Sequence, residues 1–206
     1  MRRSSYGANF NKKSELRLIV ILLWSCMPCF SKTYYVATEG NNSNPGTLPQ
    51  PFRTVSKAVS AAQAGDTIYV RGGTYNLSDT VELNKSGAEP SRINLWAYEN
   101  ELPILNASSV SNGIEINGRF WHLKGMAVTK AGNKGIQIEG GNNIIERTVT
   151  YENVDGGLKI DTGGSDNLVL NCDSYRNYNK PGGGDADGFA AKHGLGEGNV
   201  FRGCRA

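Results

Sequence analysis

The sequence is poor in the side chains on which most nucleophilic catalysis depends. Its 206 residues include only two histidines, His122 and His193, and neither belongs to a recognisable Ser-His-Asp or Cys-His set. This scarcity argues against hydrolases that use a histidine to activate a serine or cysteine. The glycines at 182–184 are followed by acidic residues, which would repel a phosphate, so a phosphate-binding glycine loop is also excluded.

Cysteine is scarce as well, with four in the whole chain. Cys26 and Cys29 lie in the N-terminal segment, whereas Cys172 and Cys204 occupy matching places in successive repeats described below. The latter two are compatible with stacked, buried apolar side chains or with a disulfide, which an exported protein would permit. Two sulfurs without a neighbouring Cys-x-x-Cys pair argue against a zinc site.

No hydrophobic run approaches the roughly 20 residues of a membrane span. The short apolar run at residues 18–24 follows a segment with five basic residues. This pattern predicts an export signal over residues 1–31, cleaved near Ser31, and a secreted mature protein without a membrane span. An uncleaved anchor and a lipoprotein cleavage box at residues 23–26 are the less favoured interpretations.

Excess positive charge is missing from the predicted mature chain. The whole sequence carries a formal +3, but residues 1–31 hold five basic residues and one acidic residue. The remainder has 17 basic residues (22 less 5) and 18 acidic residues (19 less 1), which gives −1. We therefore expect no nucleic-acid surface.

What the sequence does contain is a repeated four-residue motif. Gly-Ile-Glu-Ile at 113–116 recurs as Gly-Ile-Gln-Ile at 135–138 and as Gly-Leu-Lys-Ile at 157–160, a spacing of 22 residues each time. A looser copy begins at Gly188, and each copy precedes a second short strand. A period of 20–50 residues with glycine and asparagine turns predicts an all-β solenoid, a parallel β-helix, over residues 32–206.

One helix is predicted, over residues 52–64. Val55, Ala58, Val59 and Ala62 have the i, i+3, i+4, i+7 spacing of an amphipathic helix. Placed immediately before a solenoid, it would cap the open apolar end of the first coil.

Acidic residues collect in the last two coils, and residues 177–187 form an insertion that lengthens the fourth period. Matching positions on successive coils lie about 4.8 Å apart, so such acids can converge on a calcium ion. The alternative is that each aspartate only shapes a turn. Asp185 and Asp187 are the best candidates because they end the inserted loop. The acidic residues are Asp155, Asp161, Asp173, Asp185 and Asp187.

Several stretches resemble one family. The opening segments at 33–36, 44–47, 51–54 and 64–75, and above all residues 171–175, 186–192 and 198–206, resemble secreted pectate lyases of polysaccharide lyase family 9. The resemblance covers about residues 34–206. It implies a right-handed parallel β-helix that cleaves polygalacturonate (pectin) by calcium-dependent β-elimination.

The resemblance assigns few site residues. Asp187 matches the first calcium-binding aspartate of the family. Lys192 does not match the catalytic lysine, and we expect it to face outward or contact substrate. The family's Asp-Asp-x-x-Asp cluster and catalytic lysine would follow residue 206, so the catalytic residues stay unknown.

We therefore expect a truncated form of the enzyme, missing its C-terminal coils and weakly active or inactive. A non-catalytic polysaccharide- or surface-binding β-helix is the alternative. An alginate lyase or epimerase would share the same fold.

Overall fold

The computed structural model describes Met1 and residues 31–179, 181–182, 184 and 186–206. The predicted export signal, apart from Met1 and Ser31, lies outside the described residues. From Ser31 onward the chain forms one compact unit built almost wholly of short strands. No helix in this described part is long and apolar enough to cross a membrane.

The strands and the helix follow one another in a regular order. They are β1 (Thr33–Val36), α1 (Val55–Ala61), β2 (Thr67–Val70), β3 (Gly73–Asn76), β4 (Val81–Glu82), β5 (Ile93–Ala97), β6 (Pro103–Asn106), β7 (Ile114–Ile116), β8 (Trp121–Lys124), β9 (Ala127–Thr129), β10 (Lys134–Ile138), β11 (Ile144–Glu146), β12 (Val149–Tyr151), β13 (Gly156–Ile160), β14 (Leu168–Leu170), β15 (Asp173–Tyr175), β16 (Asp187–Ala191) and β17 (Val200–Arg202).

These strands form three sheets, and the pairings between them are parallel. One sheet has the order β1-β2-β5-β8-β11-β14-β17, the second β16-β13-β10-β7-β4 and the third β15-β12-β9-β6-β3. Each full coil contributes one strand to every sheet before the chain returns one layer higher. This is the parallel β-helix that the repeat predicts.

The repeated four-residue motif sets the register of the second sheet. Ile114 lies beside Ile136, Ile136 beside Leu158, and Leu158 beside Phe189. The first three are at most 1% exposed. Each buried aliphatic side chain contributes about 1.5–3 kcal/mol, so the stacked column holds the coils together. The residues between them, such as Gln137 and Lys159, point outward.

The helix is shorter at both ends than the predicted 52–64. Phe52 is not helical because it pairs as an isolated parallel bridge with Val36 of β1. Thr54 is the N-cap, and its side chain accepts a hydrogen bond from the Lys57 amide. Ala62 is already extended. The buried face of α1 packs against β1, β2 and β4 at the N-terminal end of the coil stack.

Columns of asparagine side chains line the turns inside the coils. Asn143 accepts a hydrogen bond from the Trp121 amide, Asn167 from the Asn143 amide, and Asn199 from the Asn167 amide, at 2.9, 2.9 and 3.1 Å. Asn143 and Asn167 are at most 1% exposed. The column therefore satisfies main-chain groups that the turns would otherwise bury without a partner.

Cys172 and Cys204 are both free thiols. Cys172 is 1% exposed in the core, and Cys204 packs against the same core. Burial raises the pKa of the Cys172 thiol to about 12. Of the two interpretations of this pair, the structure shows stacked apolar side chains.

Candidate functional site

An open cleft of about 310 Å³ lies on the outer face of the second sheet, at its β13–β16 end. Strand alternation brings its polar side chains together: Lys159 projects outward between the buried Leu158 and Ile160. Asp187, Lys192 and His193 come from β16 and the residues directly after it. The cleft thus combines acidic and basic groups that are distant in sequence.

Asp187 is the first residue of β16 and lies in register with Gly156 of β13. Its side chain is 41% exposed, and its carboxylate forms an ion pair with the ammonium group of Lys192. Lys192 directly follows the last residue of β16. The predicted metal ligand therefore faces the cleft with its charge balanced by a lysine.

Asp161 connects two of the basic residues around the cleft. Its carboxylate lies 2.8 Å from Lys159 Nζ and 3.3 Å from His193 Nδ1, and it accepts a 3.0 Å hydrogen bond from the Thr162 amide. Burial opposes ionisation of Asp161, but the bonds from Lys159, Thr162 and His193 outweigh it and lower the pKa of this carboxyl group. Asp161 therefore acts as an anchor that fixes a lysine and a histidine.

The remaining predicted acids do not join Asp187 at one point. Asp155 lines the cleft but pairs with Lys134 at 3.4 Å. Asp173 lies on the third sheet and pairs with Arg205 through two 2.7 Å bonds. Asp185 lies outside the described residues. The predicted convergence of these acids on one cation is thus not seen in the described part of the chain, where Asp155, Asp161, Asp173 and Asp187 each pair with a different basic residue.

A calcium ion takes six to eight oxygen ligands. Within the described ranges, no group of three or more histidine, cysteine, aspartate or glutamate side chains is arranged to hold a metal. The cleft offers the carboxylates of Asp155 and Asp187, and both are ion-paired. The described residues therefore do not form a complete calcium site.

Sequence reasoning missed the roles of Lys159, Asp161 and His193. One signal was present: in the third copy of the repeat a lysine replaces the outward Glu115 and Gln137 of the earlier copies. The pairing of Asp161 with His193 was hidden, because the insertion lengthens the fourth period and separates these residues by 32 positions.

Comparison with known families supports the fold. Residues 34–206 match the family model described as Pel9A-like, right handed beta helix region. The chain belongs to this family. The membership confirms the predicted right-handed parallel β-helix and the resemblance to pectate lyases.

The relatives that this chain resembles include proteins named as pectate lyases. The chain is 38% identical over 189 residues to pectate lyase L of Dickeya chrysanthemi, covering 85% of this chain and 44% of that protein. It is 42% identical over 188 residues to pectate lyase L of Paenibacillus polymyxa (strain SC2), covering 84% and 42%. The chain therefore spans less than half the length of these relatives.

Solved structures give the same result. The crystal structure of pectate lyase Pel9A matches with a TM-score of 0.79 at 37% identity, covering 85% of this chain and 48% of that one. A rhamnogalacturonan lyase matches with a TM-score of 0.75 at 30% identity, covering 84% and 51%. Both are named as lyases, and most of this chain superimposes on about half of each.

Replacing Asp161 with asparagine should destabilise the chain by about 1–3 kcal/mol near neutral pH, because Lys159 would lose its carboxylate partner in a mostly buried place. The folded-state pKa of Asp161 is below its ordinary 3.8, so its contribution is complete above about pH 4 and lost as pH falls through the folded value. Urea unfolding of both proteins should therefore show a difference that shrinks as the pH falls below about 4.

Asp173→Asn is the matched control. It also breaks an ion pair, but its partner Arg205 has an 81% exposed side chain, so the expected loss is below about 1 kcal/mol. Equal losses in the two variants would contradict the anchoring role of Asp161.

Proposed function

We propose that this chain is the polygalacturonate-binding β-helix region of a pectate lyase that acts by calcium-assisted β-elimination. The observation that carries the proposal is the match to pectate lyases over residues 34–206. The mixed-charge cleft over β13 and β16 supports it, because a polyuronate presents a row of carboxylates. The basic groups on this outer face of the second sheet are Lys159, Lys192 and His193.

The basic side chains have a defined role in this proposal. Lys159 is held by Asp161, so its ammonium group is oriented before a sugar arrives. Lys192 shares its charge with the half-exposed Asp187, and a uronate carboxylate would compete with Asp187 for it. Such prearranged charges bind and orient an anionic polymer while excluding neutral ones.

Calcium enters the proposal through the family resemblance, and Asp187 is the residue we assign to it. Because the described residues do not complete a ligand set, further oxygens would come from the substrate or from outside those residues. We assign no catalytic base, and we expect the chain by itself to bind polygalacturonate while forming little or no unsaturated uronate.

The test is calorimetric titration of the purified 206-residue chain with polygalacturonate in calcium and in a chelator, beside an ultraviolet assay for unsaturated uronate. Asp187→Asn should weaken the calcium-dependent binding about tenfold or more, as expected for a lost charged ligand. Asp79→Asn, on an exposed turn remote from β16, should bind like the unchanged chain.

Each other outcome has a definite meaning. Calcium-dependent binding that Asp187→Asn leaves unchanged would contradict the assigned site. Rapid product formation that a chelator abolishes would overturn the expected weak activity, and would also exclude a purely binding function. Tighter binding of rhamnogalacturonan than of polygalacturonate would replace the substrate with that of the second lyase relative.

We also propose that the chain is exported, with residues 1–31 as the signal. The basic segment followed by the apolar run at 18–24 supports this, and pectic polysaccharides are extracellular polymers. Attachment as a lipoprotein remains the less favoured form of the same proposal.

A further inference from the structure

A second feature lies on the third sheet, away from the cleft. One outward column of this sheet consists of Asn76, Asn106, Thr129, Tyr151 and Tyr175 on successive coils. The Tyr151 and Tyr175 rings stack with centroids 5.3 Å apart and planes 10° from parallel. Since the coils follow one another along the helix axis, each ring turns its faces towards the neighbouring coils. Tyr175 covers one face of Tyr151, and the small Thr129 stands on the other side.

An open pocket of about 200 Å³ lies on this second side of Tyr151. We call it the tyrosine pocket, and its other lining residues are Thr74, Ile104, Asn106, Thr129, Lys130 and Glu152. Tyr175 is not among them, as expected if the pocket faces the uncovered side of the Tyr151 ring. Pockets for drug-sized ligands measure about 300–1,000 Å³, so this one suits a smaller group such as a single sugar ring.

Thr129 at the floor of the pocket has an unmet hydrogen-bonding group. The residue is 3% exposed, and its hydroxyl oxygen has no hydrogen-bond partner in the described structure. A buried hydroxyl without a partner costs about 1–3 kcal/mol. Rotation by about 120° about the Cα–Cβ bond moves the hydroxyl to another staggered position, and would turn it towards a ligand in the pocket.

Charged groups mark the rim. Lys130 and Glu152 follow β9 and β12 at matching positions, and both have a left-handed backbone, with φ of 62° and 57°. Both are part of the pocket lining. Lys130 forms no ion pair with any described residue, in contrast to the lysines of the cleft. Its exposed ammonium group is therefore available to an anionic ligand.

We propose that the tyrosine pocket is a second carbohydrate site, which binds one uronic-acid unit of an acidic polysaccharide. The sugar ring stacks on the uncovered face of Tyr151, a ring hydroxyl bonds to Thr129, and the carboxylate pairs with Lys130. An aromatic face with adjacent polar groups is a common way to bind a sugar, which has apolar C–H faces and polar edges. The site is on a different sheet from Asp187 and needs no metal.

The probe is trigalacturonate, titrated into the full chain in a chelator and followed by calorimetry and by ligand-detected NMR. The chelator removes calcium-dependent binding at the cleft. Tyr151→Ala should weaken the remaining binding about three- to tenfold, and Lys130→Gln and Thr129→Val should each weaken it about three- to tenfold. Tyr151→Phe keeps the aromatic ring and should bind like the unchanged chain. If Tyr151→Ala fails to fold, Lys130→Gln and Thr129→Val still test the site.

Two controls separate this proposal from the lyase proposal. Tyr178→Ala removes another exposed tyrosine that does not line the pocket, and should leave the affinity unchanged. The second control is calcium-dependent binding at the cleft, which the pocket variants should leave unchanged. Lys130→Gln should reduce the preference for trigalacturonate over a neutral galactose trimer. Absence of chelator-resistant binding, or binding unaffected by Tyr151→Ala and Lys130→Gln, would overturn the proposal.

Discussion

Gly140→Ala should lower the free energy of unfolding by about 3 kcal/mol or more, at the upper end of overpacking effects. A Cβ atom on Gly140 would lie 1.8 Å from the carbonyl oxygen of Gly118 and 2.9 Å from that of Asn117. Both atoms belong to the main chain of the preceding coil, so no side chain can rotate away. The Gly140 amide also bonds to the Ile116 carbonyl at 2.9 Å, and separation of the coils would stretch that bond.

The measurement is urea unfolding followed by circular dichroism, with Gly182→Ala as the matched control. An added Cβ at Gly182 meets nothing within 4 Å, so this variant should stay within about 0.5 kcal/mol of the unchanged chain. If both variants lost the same stability, the loss would not come from the close approach of two coils.

The coil arrangement could be predicted because one pattern fixes both period and face. In the copies beginning at 113, 135 and 157, apolar residues flank one outward residue, and the structure stacks these copies in register. The bounds of α1 could not be predicted as well. Phe52 looks like a helical residue in the sequence, but pairing with Val36 of β1 is a long-range contact that overrides local preference.

The candidate site could be predicted less completely than the fold. The sequence places Asp187 next to a strand at the end of an insertion, and the structure puts it in the cleft. The sequence does not reveal that Lys192 neutralises that carboxylate or that Arg205 pairs with Asp173. Such pairs depend on which face and which column each side chain occupies, and a loop of irregular length changes both.

The roles of the asparagines show the same limit of prediction from the sequence. The asparagines in the sequence predict turns between the strands. The hydrogen bonds of Asn143 to neighbouring coils, in contrast, depend on how the coils stack. Their position inside the coils converts a turn residue into a structural one. The cost of removing such a residue follows from the groups it would leave unpaired.

Asn143→Ala should cost about 3–5 kcal/mol. The Asn143 side chain is fully buried, accepts a hydrogen bond from the Trp121 amide at 2.9 Å and donates one to the Gly118 carbonyl at 3.1 Å. Alanine would leave both main-chain groups without partners inside the coil, at about 1–3 kcal/mol each, and would add a small cavity. Urea unfolding measures the loss, and hydrogen exchange at the Trp121 amide should become faster.

Asn117→Ala tests whether the effect belongs to the buried column or to asparagine in general. Asn117 also lies in a turn and donates a hydrogen bond to an asparagine of the preceding coil, Asn84, but it is exposed, and water can replace that bond. Its loss should be below about 0.5 kcal/mol. If Asn143→Ala were equally mild, water would have to enter the coil and satisfy the Trp121 amide and the Gly118 carbonyl. The interior beside β8 would then be hydrated, and the asparagine column would not be what holds successive turns together.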